Sequence, residues 1–99
     1  MSGARSNPPL TRGMAVRCLR GRDSGRLLAV LATNPEEIWV ADGRRRPIER
    51  LKRKNPRHVA FTGVVLDESS MATNRELRRA LARAAEAQEA RRPLPATGE

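Results

Sequence analysis

The stretch that decides the fold is GMAVRCLRGRDSGRLLAVLATNPEEIWVAD, residues 13–42. Two apolar runs, residues 14–19 and 27–32, flank a segment, residues 20–26, that holds three arginines and two glycines. Glycine accepts positive backbone φ without a Cβ clash and is therefore typical of tight turns between strands. The pattern predicts a β-hairpin whose turn presents guanidinium groups to solvent.

The hairpin is expected to belong to a small sheet. The two-residue period of a strand places Met14, Val16 and Cys18 on one face of the first strand. The second run is apolar on both faces, which predicts a central strand rather than an edge. A proline-containing turn at residues 33–36 precedes a third predicted strand at residues 37–41.

Two further strands complete the predicted sheet. Asp42-Gly43 is a tight-hairpin signal, and we expect it to lead into an arginine-rich fourth strand at residues 44–51. Residues 52–57 are predicted to be a basic connector, and residues 58–61 a short fifth strand. Five short strands with little core predict a small, strongly curled barrel that displays its loops at the rim.

The C-terminal part predicts one helix. Thr73 with Glu76 three residues later fits a capping box, and the stretch from residue 74 to about residue 91 lacks glycine and proline. Leu77, Ala80, Leu81 and Ala84 form an apolar stripe, whereas Arg75, Arg79 and Arg83 form a basic one. The sequence leaves open whether this helix packs on the barrel or projects and lies along RNA or a partner protein.

The predicted organisation has one small domain with short flanking segments. In chain order we expect a disordered lead-in (1–12), the barrel (13–61), a linker (62–72), the helix (73–92) and a disordered tail (93–99). Residues 94–98 read LPATG, the sortase recognition pattern, but no apolar span follows them. We interpret that match as chance or an engineered tag.

Composition narrows the possible functions. The 99 residues carry a formal net charge of +9, and 18 of the 20 basic residues are arginine. A balance this basic favours a polyanionic partner, and arginine suits phosphate because its planar fork binds bidentately. Cys18 is the single cysteine, which excludes a disulfide framework. With no apolar segment of membrane-spanning or secretory character, we expect a cytoplasmic protein.

The positive charge is clustered. Residues 14–57 hold twelve basic and five acidic side chains, and residues 74–92 hold six basic and three acidic ones. The chain shows no helix-turn-helix, zinc-finger or basic-zipper pattern, and only Trp39 and Phe61 are aromatic. Contact with the backbone of structured RNA fits these features best.

The candidate RNA-binding residues lie in and beside three basic segments, which we expect to converge on one rim of the barrel. Phosphate binding there would release counterions and weaken steeply with salt. The candidates are Arg17, Arg20, Gly21, Arg22, Gly25, Arg26, Arg44, Arg45, Arg46, Lys52, Arg53, Lys54 and Arg57.

Catalysis is not expected, and neither is a metal, a cofactor, a membrane or a small-molecule substrate. Cys18 and His58 are available as a nucleophile and a base, but Cys18 lies on the apolar face of its strand, where small buried cysteines are common. Asp23 and Asp42 are interpreted as residues that orient their turns. Trp39 is interpreted as a half-buried cover of the core rather than a base-stacking platform.

Residues 14–41 resemble a KOW motif, the hairpin element of ribosomal proteins and transcription elongation factors, with Gly25 matching its near-fixed glycine. The run GRDSGR at residues 21–26, followed by ADGR at residues 41–44, is similar to short bacterial KOW-domain RNA-binding proteins. Those proteins in turn resemble KOW-bearing large-subunit ribosomal proteins. The resemblance covers about residues 13–60. It implies a five-stranded SH3-like barrel, binding to ribosomal RNA, and association with the ribosome and its proteins. KOW modules also bind proteins, so docking on a translation or transcription factor is the alternative.

Overall fold

The structure is a computed structural model that describes residues 9–91, with side chains described as far as residue 88. Within these residues the elements are β1 (Met14–Cys18), β2 (Leu27–Thr33), β3 (Ile38–Ala41), β4 (Lys52–Lys54), a 3₁₀ turn (Pro56–His58), β5 (Val59–Val65), a second 3₁₀ turn (Glu68–Met71) and α1 (Asn74–Arg91). Residues 1–8 of the predicted lead-in and residues 92–99, with the LPATG sequence, lie outside the described part.

The strands form one antiparallel sheet in the order β4-β3-β2-β1-β5. The predicted hairpin is confirmed by the pairing of β1 with β2, and the apolar second run is the central strand, as expected. A mostly-β fold followed by one helix is therefore confirmed. Among the described residues β4 and β5 each pair with one strand only, so the hydrogen-bonded sheet is open and not closed into a barrel.

The prediction of a fourth strand at residues 44–51 is wrong. These residues form a loop, and the fourth strand is Lys52–Lys54, within the segment predicted to be a connector. The side chain of Asp42 accepts hydrogen bonds from the amides of Arg44 and Arg46, at 2.8 and 2.9 Å. These two bonds fold the backbone into a compact turn, so strand pairing with β3 begins only at Lys52.

The fifth strand is longer than expected. Strand β5 continues to Val65, so the predicted linker begins with four strand residues, 62–65. The chain crosses Gly63 with φ +90° and pairs again, because Met14 faces Val65 beyond a register shift. A strand that contains such a bulge has an interrupted apolar alternation, which is why its far end gave a weak signal.

The two faces of the sheet are covered differently. One face carries the larger apolar side chains, which form a core of Met14, Val16, Cys18, Leu28, Val30, Ile38, Val40 and Val59. The other face presents Ala15, Ala29 and Ala41, against which Leu77 and Leu81 of α1 pack. Small alanines let the helix approach the strands closely. Helix α1 therefore packs on the sheet, which settles the question that the sequence left open.

The start of α1 follows the predicted capping pattern. Thr73 Oγ1 accepts a hydrogen bond from the Glu76 amide at 3.1 Å, as an N-cap should. Leu77, Ala80, Leu81 and Ala84 are all buried, so the predicted apolar stripe is the packed face. In residues 9–91, no helix has the length and apolar character that crossing a membrane requires.

Candidate nucleic-acid interface

The segment between β1 and β2, residues 19–26, is called loop A. Its base is closed by hydrogen bonds from the Gly25 amide to the Cys18 carbonyl and from the Cys18 amide to the Arg26 carbonyl, at 2.7 and 2.9 Å. Gly25 has φ +86°, and a Cβ built there would meet nothing within 4 Å. Backbone hydrogen bonds thus close the base of loop A, and the side chains of Arg20 and Arg22 are exposed.

The segment after β3, residues 42–46, is called loop B. Asp42 is buried and holds the turn through the two amide bonds described above. Gly43 has φ +76° and lies against the first turn of α1, where an added Cβ would collide with the carbonyl oxygen of Asn74. Arg44 and Arg45 point outward and are exposed.

Loops A and B meet at the same end of the sheet. Arg46 Nη2 of loop B lies 3.5 Å from Asp23 Oδ2 of loop A. Asp23 is only 4% exposed, so this contact joins the loops beneath their outward-facing arginines. This contact agrees with the prediction that these two basic segments converge.

An open groove of about 340 Å³ lies between loop A, loop B and α1. Four guanidinium-bearing side chains line it, and we call it the arginine groove; they are Arg17, Arg26, Arg44 and Arg78. None of the four forms a salt bridge within the part of the chain that the structure describes. Arg17 donates hydrogen bonds to the Gly25 carbonyl at 2.9 Å and to Gln88 Oε1 at 2.6 Å.

Arg78 and Gln88 are functional candidates that the sequence analysis missed. Arg78 directly follows the buried Leu77, so it lies at the border of the apolar stripe rather than on the predicted basic one. Gln88 is half-buried, and its Nε2 donates to the Thr62 carbonyl at 3.3 Å. A border position beside an apolar stripe was the available signal, but only the docking of the helix shows which border faces the loops.

The third basic segment, residues 52–57, does not lie wholly beside loops A and B. Because β4 runs antiparallel to β3, residues 52–54 lead away from loop B toward the turn that precedes β3. There Arg53 Nε lies 3.4 Å from Glu37 Oε2, in a depression that Glu36 and Asn55 also line. Arg57 lies in the following 3₁₀ turn, beside Pro35 and Phe61. The expected convergence of all three segments on one rim is therefore not observed: residues 52–54 lead away from the two loops, and only the 3₁₀ turn that holds Arg57 adjoins loop A, through the His58 carbonyl and the Leu19 amide.

The residues that were weighed as a nucleophile, a base or a stacking platform take part in contacts within the fold. Cys18 is buried, and its Sγ donates to the Arg20 carbonyl at 3.0 Å. The carbonyl of His58 accepts from the Leu19 amide at 2.8 Å, which ties the first 3₁₀ turn to loop A. Trp39 is half-buried, in agreement with its interpretation as a cover. Among residues 9–91, no cluster of three or more His, Cys, Asp or Glu side chains is arranged to hold a metal ion.

One acidic group near loop B has a shifted pKa. Asn74 Nδ2 donates to Glu49 Oε1 at 2.9 Å, and this hydrogen bond is the main reason why the pKa of Glu49 lies below its ordinary value. Asn74 Oδ1 also accepts from the Ile48 amide at 2.8 Å. The first residue of α1 thereby holds the chain that follows loop B.

Comparison with known proteins adds no family to these observations. No protein-family model matches the chain, and no curated protein matches it significantly. Function is therefore inferred from the residues of the two loops and the arginine groove.

Proposed function

We propose that the protein is an RNA-binding module that contacts the backbone of structured RNA, above all ribosomal RNA, through loops A and B. The observation that carries this proposal is the meeting of two arginine-bearing loops at one end of the sheet, joined by the contact between Asp23 and Arg46. Both loops expose guanidinium groups, which bind phosphate bidentately. Several such contacts together release counterions and supply most of the affinity.

The mode of binding is contact with the RNA backbone and shape, not stacking of unpaired bases. Single-strand platforms need exposed aromatic rings. The two aromatic residues of this chain are Trp39 and Phe61, and both are partly buried. Folded RNA, whose phosphates and 2′-hydroxyls line a wide minor groove, is the partner that an arginine-rich, aromatic-poor surface suits.

A KOW-type, SH3-like architecture is part of the proposal. It is supported by the hairpin of β1, loop A and β2, in which Gly25 adopts φ +86° at the position of the near-fixed KOW glycine. It is also supported by a five-stranded antiparallel sheet with an apolar core on one face. On this reading the protein acts in the cytoplasm in association with the ribosome and performs no catalysis.

The test is the affinity of the full chain for purified large-subunit ribosomal RNA at several salt concentrations. We expect the Arg22→Glu/Arg45→Glu variant to bind about a hundredfold more weakly than the wild type, because each reversal replaces an attraction by a repulsion. The matched control is Arg79→Glu/Arg83→Glu, which makes the same charge change at exposed positions of α1. If both double variants lose the same affinity, the loops are not the interface and the proposal fails.

A second measurement addresses the ribosome directly. The wild-type protein in cell lysate should sediment with the large ribosomal subunit at low salt and leave it at high salt. A protein that stays at the top of the gradient at low salt contradicts the ribosomal part of the proposal.

The second candidate function is docking on a protein of the translation or transcription machinery. It is favoured by an apolar groove of about 340 Å³ near the turn before β3, lined in part by Ile38, Val59 and Phe61. Leu19 and Val65 add exposed apolar surface, at 50% and 64% exposure. Under this function partner binding survives high salt and is lost with Phe61→Ala, whereas Arg22→Glu/Arg45→Glu leaves it unchanged.

A further inference from the structure

We propose that α1 forms the third wall of the RNA-binding surface, and that the arginine groove holds a backbone phosphate of the bound RNA between loop A, loop B and the helix. This inference rests on the proposed function and adds a specific ligand group and a specific helix flank to it. It assigns a binding role to Arg78, which the sequence did not indicate.

The charge of the groove favours an anion. Four guanidinium groups line it, and among the lining residues whose side chains the structure describes, Asp42 is the one that is acidic. Asp42 Oδ1 already accepts the amides of Arg44 and Arg46, so this carboxylate is engaged within loop B. Four cationic groups against one carboxylate leave the described lining net positive, which raises the local concentration of anions and strengthens their binding.

The arginines are oriented without losing their charge. Arg17 uses two of its donors on neutral oxygens, the Gly25 carbonyl and Gln88 Oε1. Arg78 Nη1 approaches the Gly43 carbonyl at 3.4 Å, again a neutral group. A guanidinium carries five N–H donors, so both side chains retain donors for phosphate oxygens. Side chains held in place before binding lose less conformational freedom when the ligand arrives.

The shape of the groove fits a nucleotide unit. On the flank of α1 that faces it, beside the buried Leu81, lie Arg78, Ala82 and Ala85, which recur at helical spacing. The two alanines are exposed and small, so they leave space between the helix and the loops. A volume of about 340 Å³ lies in the range of small-molecule sites, which is enough for a phosphate with its sugar but not for an RNA helix.

The opposite flank of α1 provides a matched control. Arg83 and Ala87 line a different groove, together with Val64 and Leu66, and that groove includes the carboxylate-bearing Asp67. Among the side chains described as far as residue 88, Arg83 is the one arginine there, against four in the arginine groove. The same helix therefore offers the same two residue types on a flank that the inference does not involve.

The experiment compares Arg78→Glu and Ala85→Glu with Arg83→Glu and Ala87→Glu. All four positions are exposed, and glutamate is a good helix former, so each variant should fold. The probe is purified large-subunit ribosomal RNA, titrated at several salt concentrations. We expect the two groove variants to bind about tenfold more weakly than the wild type and the two controls within about twofold of it. Arg78→Ala should reduce the slope of log affinity against log salt by about one.

The outcomes separate this inference from the proposed function. If the wild type binds RNA and Arg22→Glu/Arg45→Glu weakens it, but the groove variants match the flank controls, the groove inference is overturned and the proposed function stands. If the wild type does not bind RNA, both are overturned. If the wild type binds polyglutamate as tightly as RNA and the groove variants lose both ligands, the groove is a general anion site and its assignment to RNA phosphate is wrong.

Discussion

Loops A and B have nearly the same composition but are stabilised in different ways. Each has three arginines, one buried aspartate and at least one glycine with positive φ. These are Arg20, Arg22, Arg26, Asp23, Gly21 and Gly25 in loop A, and Arg44, Arg45, Arg46, Asp42 and Gly43 in loop B. Loop A is held by the strands it connects, and nothing lies near the Cβ position of Gly25. Loop B is pressed against α1 at Gly43. Gly25 thus serves a local turn, whereas Gly43 serves both a turn and a close contact with the helix.

The largest expected difference between the loops concerns their glycines. Gly43→Ala should destabilise the protein by about 4 kcal/mol, since a methyl group at positive φ would also collide with the backbone of α1. Gly25→Ala should cost about 1 kcal/mol, because the backbone conformation is its only penalty. Urea unfolding measures both. Equal costs would mean that the contact with α1 does not constrain loop B.

Charge reversal should show that the loops are equivalent in binding although they differ in packing. Arg20→Glu/Arg22→Glu in loop A and Arg44→Glu/Arg45→Glu in loop B should each weaken binding to ribosomal RNA about a hundredfold, or about 2.7 kcal/mol. Arg53→Glu/Lys54→Glu in β4 should cost about threefold, because Arg53 already faces Glu37. An equal loss at β4 would restore the three-segment interface that the sequence predicted.

The next largest difference between the loops should be the stability lost when their buried aspartates are replaced. Asp42→Ala should lower the free energy of unfolding by about 2 kcal/mol, since two backbone amides lose their acceptor. Asp23→Ala should cost about 1 kcal/mol or less, because its contact with Arg46 is 3.5 Å long and Arg46 is partly exposed. Asp42→Asn retains an acceptor oxygen and should therefore keep most of the wild-type stability, as measured by thermal unfolding. If Asp42→Asn behaves like Asp42→Ala, the amide bonds are not what hold loop B.

The smallest expected effect is a response to pH beside loop B. The pKa of Glu49 is lowered in the folded state by Asn74, so the stability it adds is complete above its unfolded pKa and is lost as pH falls through its folded pKa. Between pH 7 and pH 3, the melting temperature of Glu49→Gln should therefore fall slightly less than that of the wild type. In an Asn74→Ala background most of this difference should disappear, and the hydrogen bond of Glu49 with its own backbone accounts for the remainder. A difference of undiminished size would contradict the assignment to Asn74.

The sequence predicted the elements that depend on local patterns. The hairpin, the central position of β2 and the cap at Thr73 follow from residue spacing within about ten positions. The fourth strand was misplaced because the side chain of Asp42 redirects the chain after β3. The end of β5 was missed because its pairing with β1 joins residues far apart in sequence and crosses a bulge near Gly63.

The candidate site was predictable to a similar degree. Clustered arginines and turn glycines indicated loops A and B, and the structure brings these two loops together. Arg78 was not predictable, since its place in the groove depends on which flank of α1 meets the loops. The separation of Lys52–Lys54 from the loops was not predictable either, because it follows from the misplaced fourth strand.

The pairing of β1 with β5 sets the order in which a nascent chain can assemble. Hairpins β1–β2 and β2–β3 join neighbouring segments, but the second edge of β1 waits for β5, and Thr62 Oγ1 reaches the Ala15 carbonyl across 47 positions. Until β5 is synthesised, the first strand presents an apolar, unpaired edge of the kind that recruits other chains. Incomplete translation products that end before residue 59 are therefore the form of this protein most prone to edge-to-edge aggregation.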